Sequence, residues 1–182
     1  MAFIASTRFN NETLEQNLKY KEEHGIDGYI YCQRIRIKEQ VPLNTLLYLV
    51  EMNNSTNQIL GIALIKNAIA TDKYYKVYSS TDFNRYIYKA NHRISREEMI
   101  VFNSDVVLAL EQICFKGKTH LKRIPGISII SDKLLGSPVC KNIYFKREIR
   151  EMFLQKYCKH CSGDEIIVNE TIGDETIGDE TI

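Results

Sequence analysis

Tryptophan is absent from this 182-residue chain, so any aromatic surface falls to its 11 tyrosines and seven phenylalanines. No apolar run approaches the roughly 20 residues that a membrane-spanning helix needs, and no membrane partner is expected. The opening MAFIASTRFNNETLEQN has no basic start leading into an apolar segment, so no secretory signal is expected. Cys32, Cys114, Cys140, Cys158 and Cys161 are odd in number. Without a signal they point to reduced thiols and an intracellular setting, cytoplasm or nucleus.

Several catalytic motifs are also missing. There is no Walker loop, dinucleotide fingerprint, G-x-S-x-G or H-E-x-x-H, and FKGKTH lacks the first glycine of a phosphate loop. Glu51, Asp72, Asp82, Glu97 and Glu98 form no recognisable magnesium-binding pattern. CKHC at 158–161 is a lone C-x-x-C. Structural zinc takes four ligands, usually as two such pairs, and the spacing of Cys140 and His160 does not supply the second. Neither a metal nor another cofactor is expected, and no catalytic residue is assigned.

What is present is charge, unevenly spread. The chain has 24 Lys and Arg against 23 Asp and Glu, a net of +1. Seven of the acids lie in 162–182, which holds no Lys or Arg, so residues 1–161 carry a net of +8. A basic body suggests an anionic partner, although the same charge also serves solubility. Within 162–182, NETIG, DETIG and DETI repeat at a period of five, which matches neither a solenoid unit nor a heptad. Acidic and punctuated by glycine, this tail is expected to stay disordered beside a single domain spanning 1–161.

Periodicity divides the body into short elements. ETLEQNLKYKEEH (12–24) is expected to be a helix, with Asn10 or Asn11 as cap and Gly25 as stop. YIYCQRIRI (29–37) is expected to be a strand, with Tyr29, Tyr31 and Gln33 on one face and Ile30, Cys32, Arg34 and Arg36 on the other. LLYLVEM (46–52) and QILGIALIKN (58–67) make a hairpin around NNSTN, with Gly61 at a bulge or close approach. YYKVY (74–78) and FNRYIYKA (83–90) form a second expected pair. SREE (95–98) has capping-box spacing ahead of a helix over about 104–115 that Gly117 ends. IPGISII (124–130) reads as a turn into a short strand, and 146–160 as a last helix.

The densest positive charge lies in FKGKTHLKRIPGIS (115–128). Lys116, Lys118, His120 and Lys122 alternate at twos, so an extended chain would line them along one face, flanked by Arg123. Such a row can follow a phosphate backbone. Arg34, Arg36, Arg85, Lys89 and Arg93 are candidates to widen it, and Tyr86 and Tyr88 to stack on unpaired bases. The alternative is a solvated loop, with Lys116 and Lys118 favouring the C-terminal dipole of the preceding helix. An enzymatic reading rests on His120 alone, as acid or base.

GIALIKN (61–67), FNRYIY (83–88) and Phe115 to Ser128, within the span 28–130, give the chain a pattern that resembles the PUA/EVE/YTH superfamily of small β-barrels. The resemblance implies a PUA-like barrel with flanking helices that binds RNA or modified bases. The Asn, Ile, Lys and Tyr bias also resembles small proteins of large nucleocytoplasmic DNA viruses. The expectation is therefore an α+β single domain, a small mixed or antiparallel sheet or barrel with flanking helices. Its expected function is a non-catalytic nucleic-acid-binding module, with DNA versus RNA left open. The alternative is a viral structural or interaction protein that binds no nucleic acid.

Overall fold

A computed structural model describes residues 2–158. The acidic tail, and His160 and Cys161 of CKHC, lie outside the described residues.

The first strand, β1 (Phe3–Phe9), was not expected from its sequence and lies inside the main sheet. It pairs in parallel with β3 (Leu46–Asn53), Ala5 beside Leu49, and antiparallel with β7 (Ser128–Ile129). β3 turns back into β4 (Gln58–Lys66) through a turn with Asn57 at φ +57°, and β4 pairs with β6 (His92–Ser95). The resulting order is β6-β4-β3-β1-β7, a mixed sheet with two open edges. β2 (Tyr29–Gln33) and β5 (Tyr86–Ala90) form a separate antiparallel pair. The strands therefore make an open five-stranded sheet and a two-stranded ladder: the mixed sheet of the expectation is formed, and the barrel offered beside it is not.

Side-chain alternation builds the layers. On one face of the sheet Ile4, Val50, Met52 and Ile62 pack beneath α2 (Arg96–Phe115) and α4 (Phe145–Tyr157), against Val106, Leu110, Ile149 and Phe153. On the other, Ala5, Leu47, Leu49 and Ala63 meet Tyr31 and Tyr88 of the two-stranded ladder. The ladder's far side, Ile30, Cys32 and Ile87, packs on Tyr20 of α1 (Asn11–Glu23) and on Tyr75 and Tyr78. Each fully buried aliphatic side chain contributes about 1.5–3 kcal/mol. α3 (Asp132–Leu135) is a single turn between β7 and α4.

Local signals place the helix ends. Asn10 accepts a hydrogen bond from the Thr13 amide at 2.7 Å, and Gly25 leaves α1 at φ +57°. Ser95 and Glu98 form the expected capping box, so α2 starts at Arg96, before the expected 104. Asn103 interrupts that helix (φ −161°, ψ 98°), and its side chain accepts from the Asp105 amide, restarting the second half.

Two expected strands change. Residues 74–78 are not a strand: Asn84 Oδ1 accepts the Val77 and Tyr78 amides at 3.1 and 3.0 Å, and its Nδ2 donates to the Tyr78 carbonyl. One asparagine thus occupies the groups a strand partner would need. The strand expected over 29–37 ends at Gln33, opposite Tyr86, and the chain carrying Arg34 and Arg36 leaves the ladder as a loop.

Candidate nucleic-acid interface

The loop after β2 is held by a side chain. Tyr88 is 1% exposed, and its hydroxyl accepts the Ile37 amide at 3.0 Å. Burial raises its pKa, so it stays a neutral phenol. Tyr88 is therefore an anchor for the loop, and the expectation that it stacks on a base is corrected. Tyr86, two residues earlier, is half-buried, and its hydroxyl makes no hydrogen bond among the described residues. Arg36 lies over the Tyr86 ring with Cζ 5.1 Å from the centroid, and Arg34 lies over Phe83 at 5.7 Å. Both arginines are exposed.

The distant basic segment comes to the same place. Gly126, at φ +71°, packs so closely on the loop that an added Cβ would sit 2.7 Å from Ile35 Cγ1. Arg8, at the end of β1, donates to the Lys122 carbonyl at 2.6 Å, and Asn54 Nδ2 donates to the same oxygen at 2.9 Å. Lys122 Nζ donates to Asn57 Oδ1 at 2.7 Å, tying the segment to the β3–β4 turn. One end of the fold thus joins Arg8, Arg34, Arg36 and Lys122, with Arg123 exposed next in chain; none of the five has a carboxylate partner among the described residues.

The expected extended row of cations is not formed. The chain turns at 118–119 and 122–123, and Leu121 is buried with its amide on the Cys114 carbonyl. Alternation at twos therefore does not put Lys116, Lys118, His120 and Lys122 on one face. Lys116 and Lys118 are exposed on the turn after α2, around Gly117 at φ +77°. His120 is half-buried, and its Nδ1 is enclosed without a hydrogen-bond partner.

The expected widening of the patch divides. Arg85 is exposed but paired with Asp82 at 2.7 Å, and Lys89 is paired with Asp72 at 3.0 Å. Arg93 turns inward between the layers, donating to Glu51 at 2.6 Å and to the Leu60 carbonyl at 2.8 Å. Tyr31 donates to the same carboxylate. Burial first, then Glu51, raises the Tyr31 pKa well above its ordinary value. For Arg93 burial opposes the charge, but the Glu51 carboxylate outweighs it and the pKa is raised. The expectation that Arg93 serves the surface is corrected, because its Nε and Nη2 are held by the buried Glu51 carboxylate and the Leu60 carbonyl.

Arg8, Phe83 and the Gly126–Ile35 contact were missed by sequence reasoning. Phe83 looked like the first strand residue and instead sits in a short 3-10 turn, 39% exposed. Elsewhere, a surface groove of about 430 Å³ lies beside the α2 kink, lined by Asp105, Leu108, Gln112, Val139 and Lys141 among others. It shares no residue with the basic loops. Among the described residues, no helix is long and apolar enough to cross a membrane, and no cluster of His, Cys, Asp and Glu is placed to hold a metal.

Fold and site together define a single α+β domain with a cationic, aromatic-bearing end. Comparison with protein-family models, curated proteins and solved structures gives no significant match. The resemblance to PUA/EVE/YTH domains therefore rests on the sequence alone.

Proposed function

We propose that the protein is a non-catalytic nucleic-acid-binding module that grips the sugar–phosphate backbone at this end of the fold. The observation that carries the reading is the packing of Gly126 against Ile35, which joins the segment that carries Lys122 and Arg123 to the loop that carries Arg34 and Arg36. Clustered cations without carboxylate partners attract polyanions, and each neutralised phosphate releases counterions. The body's net charge of +8 over 1–161 acts in the same direction. The narrower form, recognition of RNA or of a modified base, follows from the resemblance alone. With no tryptophan in the chain, an enclosure for such a base would have to come from tyrosine or phenylalanine.

The test is fluorescence anisotropy of the full chain with labelled DNA and RNA at two salt concentrations. Beside it runs a variant carrying Lys118→Ala, Lys122→Ala and Arg123→Ala. Binding is expected to weaken with salt, by roughly 0.9 in log–log slope per phosphate contacted, and to fall in the variant. Salt-independent binding would overturn the reading. A complete lack of binding would favour the structural or interaction protein.

A further inference from the structure

The basic end carries two arginine–aromatic pairs, and phosphate binding alone gives them no role. Arg36 lies over Tyr86, and Arg34 over Phe83. The arginines follow one another at i, i+2 on one loop, and the rings lie three residues apart on the facing chain. Tyr88 holds the loop from beneath through the Ile37 amide, and Gly126 holds it from the side through Ile35. The pairs are therefore set on supported backbone.

A guanidinium set over a ring makes a cationic, aromatic ledge. Unpaired bases stack both on aromatic rings and on guanidinium planes, and every base has a face to offer. In a duplex those faces are already occupied by neighbouring base pairs. The Tyr86 hydroxyl, without a hydrogen-bond partner in the described residues, can also donate to or accept from a base edge or sugar. Arg8 and Lys122 are joined to each other, and the segment that carries Lys122 and Arg123 is joined to the loop through Gly126 and Ile35, so these cations can serve the phosphates of a strand stacked on the ledge.

Resting on the nucleic-acid reading above, we infer that the partner is single-stranded, with unpaired bases stacked on the Arg34–Phe83 and Arg36–Tyr86 ledge and phosphates on the neighbouring cations. Double-stranded polymer meets only the cations.

Anisotropy with labelled twelve-nucleotide oligo-dT, oligo-U and a duplex of equal length, using the full chain, tests this. Both single strands are expected to bind more tightly than the duplex, and the dT and U arms report whether the DNA or the RNA strand is preferred. Tyr86→Ala and Phe83→Ala are each expected to weaken single-strand binding roughly tenfold without changing the salt slope. Tyr86→Trp is expected to retain it. Lys122→Ala is expected to reduce the slope by about one instead. Thermal unfolding checks that each variant is folded, and Phe83→Ala, at an exposed position, provides the reading if Tyr86→Ala is not. Equal binding of duplex and single strand, with both aromatic variants neutral and the Lys122 variant weakened, would overturn the inference and leave the nucleic-acid reading standing. Loss in Tyr86→Ala that Tyr86→Trp fails to avoid would also overturn it, because the ring would then be a support. No binding to any polymer at low salt would end both.

Discussion

Arg93 reaches through the space left by Gly61 to hold the Glu51 carboxylate, with Nη2 2.6 Å from Oε2. The Glu51 side chain is 5% exposed and that of Arg93 18%, so the pair is largely withdrawn from water. Removing one partner strands the other charge. Glu51→Leu is expected to cost about 3 kcal/mol of unfolding free energy, the lower end of the range for broken buried pairs because Arg93 keeps some exposure. Adding Arg93→Met is expected to recover much of it. Urea titration of the single and double variants reads both values, and a single variant as stable as the parent would show the pair to be solvated.

Gly61 itself is under a steric demand. A Cβ there would lie 2.5 Å from the Ile94 carbonyl oxygen and 2.7 Å from Arg93 Nη2. The guanidinium could shift, but the backbone carbonyl of the paired strand cannot move without loss of the ladder. Gly61→Ala is expected to destabilise by about 1–3 kcal/mol, as overpacking does. An unchanged urea midpoint would mean that the β4–β6 pairing yields.

Tyr88→Phe separates anchoring from binding. It deletes the acceptor of the buried Ile37 amide while keeping the ring in the core. The expected cost is about 1–3 kcal/mol, with faster hydrogen exchange at Ile37. Nucleic-acid affinity is expected to fall as well, because the loop carrying Arg34 and Arg36 loosens. Unaltered exchange at Ile37 would show that the loop is held by other contacts.

The buried thiols give a pH-dependent prediction. Burial pushes both Cys32 and Cys114 up to about 12, with Glu111 adding to the effect at Cys114. A raised thiol pKa keeps the neutral form at pH 8, and the reactive thiolate appears only as pH nears 12 or on unfolding. A thiol reagent at pH 8 is expected to label Cys158, which is half-buried, and to spare Cys32 and Cys114 until urea is added. Peptide mass mapping reads each site; rapid native labelling of Cys32 would contradict its burial.

The acidic tail, outside the described residues, bears on binding through charge alone. It places seven carboxylates and no Lys or Arg within 162–182, tethered to a body of opposite sign. Charge carried on the same chain acts at an effective concentration of up to about the millimolar range. Deleting 163–182 is expected to raise nucleic-acid affinity in the anisotropy assay, most strongly at low salt. Unchanged affinity would mark the tail as a passive solubiliser.

The sequence by itself determined what short-range chemistry determines. The Ser95–Glu98 box, the Asn-rich turn at 53–57 and the stripe of Val106, Val107, Leu110 and Ile113 depend on neighbours within a few residues, and all are found as expected. The bulge or close approach expected at Gly61 is also found, since the register shifts opposite Glu51 and Met52, although the backbone and side chain that crowd it come from Ile94 and Arg93 on another strand. Only the tertiary structure decided the rest. FIASTRF became a central strand because Leu46–Asn53, some forty residues away, offered a parallel partner. YYKVY has a strand's composition, yet Asn84 took its amides. Tyr86 and Tyr88 share one face of β5 and both pack on the core beneath the main sheet, but only Tyr88 is fully buried, and that separates a ledge from an anchor. The two cationic loops meet because Gly126 has no side chain where Ile35 packs. Helix caps and turns close within one window of sequence, whereas burial and strand pairing are set by partners that no single window contains.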